Sequence, residues 1–238
     1  MKKLMFGMAV AAGLMACADI ESANVVGYAE SGLKRGATMC APMFVNCGTS
    51  KVSISNLIPT GEQIDGDGAI YINTLDAFGR TLDAYYWINW GGDDVGWMNG
   101  DFEKVDVSFT AGQGLWITAE DANTGFQSAG EVDFNDSLVQ LRRGAIATGN
   151  MTPMPINIQD ILPEGDDVSK EGGIYINTLD AFGRTVDAYY WIDWGGDDTG
   201  WMNGDFEKVD VTFEPGQGLW VTGENDTTYL RFPAPEVK

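Results

Sequence analysis

Residues 68–118 read GAIYINTLDAFGRTLDAYYWINWGGDDVGWMNGDFEKVDVSFTAGQGLWIT, and residues 172–222 read GGIYINTLDAFGRTVDAYYWIDWGGDDTGWMNGDFEKVDVTFEPGQGLWVT. The offset is 104, and eight of the 51 positions differ, mostly by mild exchanges such as Leu82 to Val186, Ser108 to Thr212 and Ile117 to Val221. Within the unit, Ala69–Thr74 is rich in β-branched and aromatic residues and reads as a strand. Asp76-Ala77-Phe78-Gly79-Arg80 reads as a turn, followed by a long strand over Thr81–Trp90. Alternation puts Leu82, Ala84, Tyr86, Ile88 and Trp90 on one face and Asp83, Tyr85, Trp87 and Asn89 on the other. The first face is the expected core. Gly91-Gly92-Asp93-Asp94 breaks the strand. Lys104–Phe109 alternates, and Leu115–Thr118 reads as a last core strand. The single helical candidate, Ser53–Ile58, is stopped by Pro59.

The match extends upstream. Ile54–Pro59 pairs with Ile158–Pro163 at the same offset, and Leu33–Ala37 pairs with Leu141–Ala145 at an offset of 108, so the first copy carries four extra residues between Ala37 and Ile54. A period near 104 is longer than the ~20–50 residues of solenoid repeats and matches a small domain. The expectation is therefore an all-β chain of two tandem antiparallel β-sandwich or small-barrel domains, residues 19–128 and 129–238, related by internal duplication. The join is soft: Thr124–Asp136 carries alternating Val132 and Phe134 and reads as a shared strand as well as a linker.

Residues 1–18 read as a signal peptide. Lys2 and Lys3 precede an apolar stretch over Leu4–Ala16, and Ala16-Cys17-Ala18 fits a cleavage site. The expected destination is the periplasm, the outer surface or the medium. A lipid anchor at Cys17, within Leu14-Met15-Ala16-Cys17, is the alternative. No stretch reaches the ~20 apolar residues of a membrane span. Cys40 and Cys47 remain, an even pair in an exported chain, and are expected to form a disulfide. Both lie in the first-copy insertion, so the bridge belongs to nothing the copies share.

Composition narrows function. With 35 acidic residues against 14 basic ones and a net charge of −21, the chain repels nucleic acid. Without histidine there is no Ser-His-Asp or Cys-His catalysis and no His-ligated zinc. Two carboxylates suffice for a glycosidase, yet a small unit written twice with so little drift does not resemble an enzyme built around one cleft. No catalytic residue is expected.

The motifs Asn24-Val25-Val26-Gly27-Tyr28 after an export signal, Leu-Asp-Ala-Phe-Gly-Arg-Thr, Tyr-Tyr-Trp, Gly-Trp and Gly-Gln-Gly-Leu-Trp resemble a family of secreted bacterial tandem β-repeat proteins. The resemblance spans most of the chain beyond the leader. It implies export and β architecture and offers no catalytic or binding residue to carry over.

Two features are candidate sites. All eight Trp fall in the matched segments. Rings beside Asp and Asn suit sugar C–H faces and hydroxyls, making Tyr85, Trp87, Trp97, Tyr189, Trp191 and Trp201 the candidate ligand-binding residues. Trp116 is expected to pack between sheets or against the other copy. Asp93, Asp94, Asp101 and Glu103, with Asp197, Asp198, Asp205 and Glu207, are candidate calcium ligands on Gly-bearing loops. Calcium is the one candidate cofactor, and none is required. Arg80 and Arg184 are read as partners of Asp76 or Asp83 or of a substrate carboxylate. The expected function is a non-enzymatic exported structural or interaction protein of the bacterial cell surface or periplasm, with a protein or glycan as partner. The alternative is a tandem carbohydrate-binding module with one shallow aromatic site per copy.

Overall fold

The repeated turns and strands recur as repeated sheets. The computed structural model describes residues 26–33, 35–46, 48–61, 70–120, 124–165, 168, 171–224 and 226–235. The leader, Cys17 and Cys47 lie outside the described residues. One five-stranded sheet runs in the order Gly36–Cys40, Leu115–Ala119, Ile70–Leu75, Thr81–Asn89, Val95–Met98. The second runs Gly144–Gly149, Gly218–Gly223, Glu171–Leu179, Thr185–Asp193, Thr199–Met202, the same order 104 to 108 residues later.

Each repeat adds a three-stranded sheet. In the first it is Val26–Gly32, Gly125–Glu131 and Leu57–Thr60, and in the second Ser137–Gln140, Tyr229–Phe232 and Leu162–Glu164. Short pairs complete the set, Lys51–Ser53 with Ser108–Thr110 and Ile156–Asn157 with Thr212–Phe213. The architecture is all-β and antiparallel, with the small sheets arranged as a four-bladed, propeller-like ring. Sheet order is linear in both five-stranded sheets, so neither closes into a barrel of its own. Among the described residues no helix is long and apolar enough to cross a membrane.

The expected helix reduces to a single 3-10 turn in each repeat. Ile54–Asn56 is capped by Ser53, whose hydroxyl accepts from the Ser55 N–H, and Ile158–Asp160 is capped by Asn157 in the same way. The strand expected over Lys104–Phe109 forms only at its end, as Ser108–Thr110. Gly125–Glu131 is a strand that pairs entirely with first-repeat strands, so a boundary at residue 128 falls inside it.

Buried apolar residues form two clusters. One draws on residues 33–126, including Ile54, Leu57, Ile72, Phe109 and Leu115, and the other on residues 141–232, including Ile158, Ile161, Ile176, Phe213 and Leu219. Cys40 is a free, buried thiol, and Cys47, its expected disulfide partner, lies outside the described residues. Strand register explains the burial. Cys40 pairs with Leu115 and turns its side chain into the first cluster, where burial raises the thiol pKa to about 12. The insertion is pinned by packing and backbone bonds. Val45 and Glu131 exchange backbone hydrogen bonds at 3.0 and 2.8 Å, and the buried Phe44 ring lies so close to Gly27 that a Cβ there would stand 2.1 Å from it.

The repeats meet backbone to backbone. The Ala41 N–H donates to Gly216 O at 2.9 Å, the Gly114 N–H donates to Ala147 O at 2.9 Å, and the Thr148 hydroxyl donates to Gly112 O at 2.7 Å. A Cβ on Gly114 would stand 2.6 Å from the Ala147 carbonyl carbon, and one on Gly218 would stand 2.4 Å from the Met39 carbonyl carbon. Backbone cannot move aside as a side-chain tip can. Gly114→Ala and Gly218→Ala are therefore each expected to destabilise the chain by about 1–3 kcal/mol in chemical denaturation. Gly100→Ala and Gly204→Ala, where a Cβ meets open space, should stay within about 0.5 kcal/mol of the parent. Equal effects at all four positions would refute the close-contact explanation.

Candidate functional site

Of the six aromatic residues expected to form an open platform, four lie in the two cores and two pack against the first. Trp97, Trp191 and Trp201 retain 4, 7 and 0 % of their accessible surface. Tyr189 is also buried, while Tyr85 and Trp87 are partly buried and pack on the first cluster. Register explains the placement: Trp87 pairs with Trp97 and Trp191 with Trp201 across adjacent strands, so each pair shares a face. The rings meet edge to face at 5.5 Å in both repeats. The Trp97 indole N–H donates to Leu57 O at 2.7 Å, and the Trp201 N–H to Ile161 O at 2.6 Å. Tyr85 and Tyr189 set their rings edge-on to Phe109 and Phe213.

The expected core face is thus largely the outer one. Leu82, Val186, Trp90 and Trp194 are exposed, and Tyr86 and Tyr190 are half-buried; Ile88 alone on that face of the first repeat is fully buried.

All eight candidate calcium ligands are exposed turn residues. Asn99 Oδ1 accepts from the N–H groups of Asp101 and Glu103, both at 3.0 Å, and Asn203 Oδ1 accepts likewise from Asp205 and Glu207. Asp93 and Asp94 occupy the tight turn after Trp90, and Asp197 and Asp198 the single 3-10 turn Gly196–Asp198. Among the described residues no three Asp, Glu or Cys side chains come together in a group that could hold a metal ion. Asx-turn bonding at Asn99 and Asn203 shapes the backbone of the second loop in each repeat. Each of these turns also holds a Phe in the left-handed region, Phe102 at φ 59° and Phe206 at φ 61°. The strained Phe stacks on the exposed Trp90 or Trp194 at 5.7 Å.

The structure brings other residues together. In the Leu-Asp-Ala-Phe-Gly-Arg-Thr turn, Asp76 Oδ1 accepts from the N–H groups of Phe78 and Arg80 at 2.8 and 2.9 Å. Its Oδ2 accepts from Arg80 Nε and Nη2 at 2.8 and 2.7 Å. Asp180 and Arg184 repeat the arrangement. The arginines are thus partners of Asp76 and Asp180 within the turn. With the polar groups tied inward, Phe78 and Phe182 point out, 79 and 80 % exposed, each beneath its own arginine at 5.2 and 5.1 Å.

Each turn then sits on the other repeat. Gly79 lies against the Trp220 ring and Gly183 against the Trp116 ring, both at 3.5 Å from a built Cβ. Backbone bonds fasten the same contacts, from the Ala37 N–H to Ala181 O at 3.3 Å and from the Ala145 N–H to Ala77 O at 3.4 Å. Between the turns and the outer sheet faces lies a cleft of about 530 Å³. Trp116 and Trp220 line it together with Phe78, Phe182, Tyr71 and Asn73. The sequence does not single out this cleft, although a place against the other copy is one of the two it offers Trp116. The available signal was an apolar Phe kept at the tip of an otherwise polar turn in both copies.

Two outcomes test these assignments. Trp97→Phe should cost about 1–2 kcal/mol more than Trp87→Phe in thermal or chemical denaturation, because only the first strands a buried carbonyl. The Trp87 N–H has no acceptor to lose. Equal losses would contradict the Leu57 bond. Asp76 is held below its ordinary value of 3.8 chiefly by the Arg80 backbone N–H and then its guanidinium, and Asp180 chiefly by the Arg184 side chain. A carboxyl with a lowered folded pKa stabilises the fold above its unfolded value and loses that contribution as pH falls through the folded one. Carboxyl shifts followed by NMR should titrate below 3.8 at both turns; a midpoint at or above it would break the assignment.

Comparison with protein-family models, with curated proteins and with solved structures finds no match for the chain.

Proposed function

We propose that the chain is an exported, non-enzymatic interaction protein of the bacterial cell surface or periplasm, built from two tandem copies of one β-unit. The carrying observation is the reciprocal seat. Each repeat plants its Phe-Gly-Arg turn on the other's tryptophan, and the resulting body holds Phe78 and Phe182 out to solvent in matched positions. Large apolar groups held outward by a fully bonded turn are the anatomy of recognition, since such side chains gain most when a partner removes them from water. Among the described residues the cleft lining contains no carboxylate, amine, guanidinium or thiol, and its one titratable group is the Tyr71 phenol, which fits binding better than turnover. The leader over residues 1–18 and the resemblance to secreted β-repeat proteins support export. Four of the six residues of the carbohydrate alternative are buried, and its chemistry is better served by the cleft shared by the repeats.

One experiment addresses this reading. The full chain is expressed in a bacterium, and the processed product is recovered, identified by its N-terminus, and co-sedimented with isolated cell envelopes. The expected result is a chain beginning at Asp19 or at an acylated Cys17 that binds envelopes saturably and releases no low-mass product. Retention of Met1 in the cytoplasm, absence of saturable binding, or release of envelope fragments would each overturn it.

A further inference from the structure

From the cleft between the repeats we infer a binding site for an uncharged carbohydrate chain, with Trp116 and Trp220 as its floor and Phe78 and Phe182 as its rim. The inference rests on the interaction reading above and names the ligand class. Its first support is charge. The chain carries a net charge of −21, yet no charged side chain is among the described residues that line this cleft. The guanidinium groups of the two Phe-Gly-Arg turns, on Arg80 and Arg184, are engaged by Asp76 and Asp180 through paired bonds of 2.6 to 2.8 Å. Among the described lining residues an anionic ligand finds no cation and a cationic ligand no carboxylate.

The second support is the mixture of surfaces. Half-exposed indole and phenol rings offer flat apolar faces, and Asn73, Thr118, Thr81 and Thr185 offer neutral donors and acceptors. A wholly apolar ligand would leave those amide and hydroxyl groups unpaired on binding. A saccharide presents both kinds of surface at once, C–H patches to the rings and hydroxyls to the amides and threonines. The volume, about 530 Å³, falls within the range of roughly 300–1,000 Å³ typical of ligand sites.

The third support is repetition. Trp116 and Trp220, Phe78 and Phe182, and Thr81 and Thr185 line the cleft as pairs contributed once by each repeat. Two near-equivalent halves suit a ligand whose own units repeat, which favours an oligosaccharide segment over a single small molecule. One shared site also replaces the one-site-per-copy arrangement, since neither repeat alone supplies both Trp floor and opposing Phe rim.

The test uses the processed chain on an array of neutral oligosaccharides (glucans, xylans and mannans), acidic oligosaccharides and extended peptides, followed by calorimetric titration of the hits. Saturable binding to a neutral oligosaccharide is expected. The double variant Phe78→Ser, Phe182→Ser alters only exposed rims and should keep the parent melting temperature while weakening binding at least about tenfold. Trp116→Phe with Trp220→Phe provides a second, shape-conserving probe of the floor and should also weaken binding. No neutral saccharide bound, preference for acidic saccharides or peptides, or full affinity in the folded Phe78→Ser, Phe182→Ser variant would each overturn the site. Saturable envelope binding by a chain that binds no neutral saccharide would overturn the site alone and leave the interaction reading standing.

Discussion

Backbone touching backbone across the two repeats is the constraint on which the rest of the molecule depends. At Gly114 and Gly218 the approach leaves no space for even a methyl group, so the repeats are positioned by main-chain geometry and by the hydrogen bonds that run with it. This brings the strand Gly36–Cys40 beside Gly218–Gly223 and carries each five-stranded sheet's outer face toward the other repeat's turn. The cleft follows from that placement. Moving either repeat by the width of a side chain would lift Gly79 from Trp220 and Gly183 from Trp116.

The turn itself is a second, local device. A single carboxylate accepts two backbone N–H groups and a bidentate arginine, leaving the turn with no free polar group of its own in that carboxylate pair. Because Asp76 and Asp180 absorb the arginine charge, the Phe side chains are held outward without a charged group competing for the cleft. The same economy appears in the acidic loops, where Asn99 and Asn203 organise the backbone and the neighbouring carboxylates stay in water.

Much of the fold could be read in advance. The strands Ile70–Leu75, Thr81–Asn89 and Leu115–Ala119, the turn between the first two, and the partnership of Arg80 with Asp76 all lie where local pattern put them. The choice of inner face was not legible in the same way. The strand Thr81–Asn89 is apolar on both sides, Leu82 and Tyr86 on one and Tyr85 and Trp87 on the other, so a period of two identifies the faces without ranking them. The ranking comes from Trp97, which pairs with Trp87 and requires an acceptor for its indole N–H. That acceptor is the Leu57 carbonyl, forty residues away in sequence. The burial of Cys40 was not legible for a related reason, since the direction of its side chain is set by its pairing with Leu115.

Local chemistry was therefore enough to establish the internal sequence repeat and the antiparallel β class, and to narrow the partner of Arg80 to a few carboxylates. Each depends on residue identity and short spacing alone. The inward placement of Trp87, Trp97, Trp191 and Trp201, the free state of Cys40 and the neutral cleft under Phe78 and Phe182 emerged when segments distant in the chain came into contact. A side chain's environment is the sum of what packs against it, and for these residues nearly all of that arrives from another strand or from the other repeat.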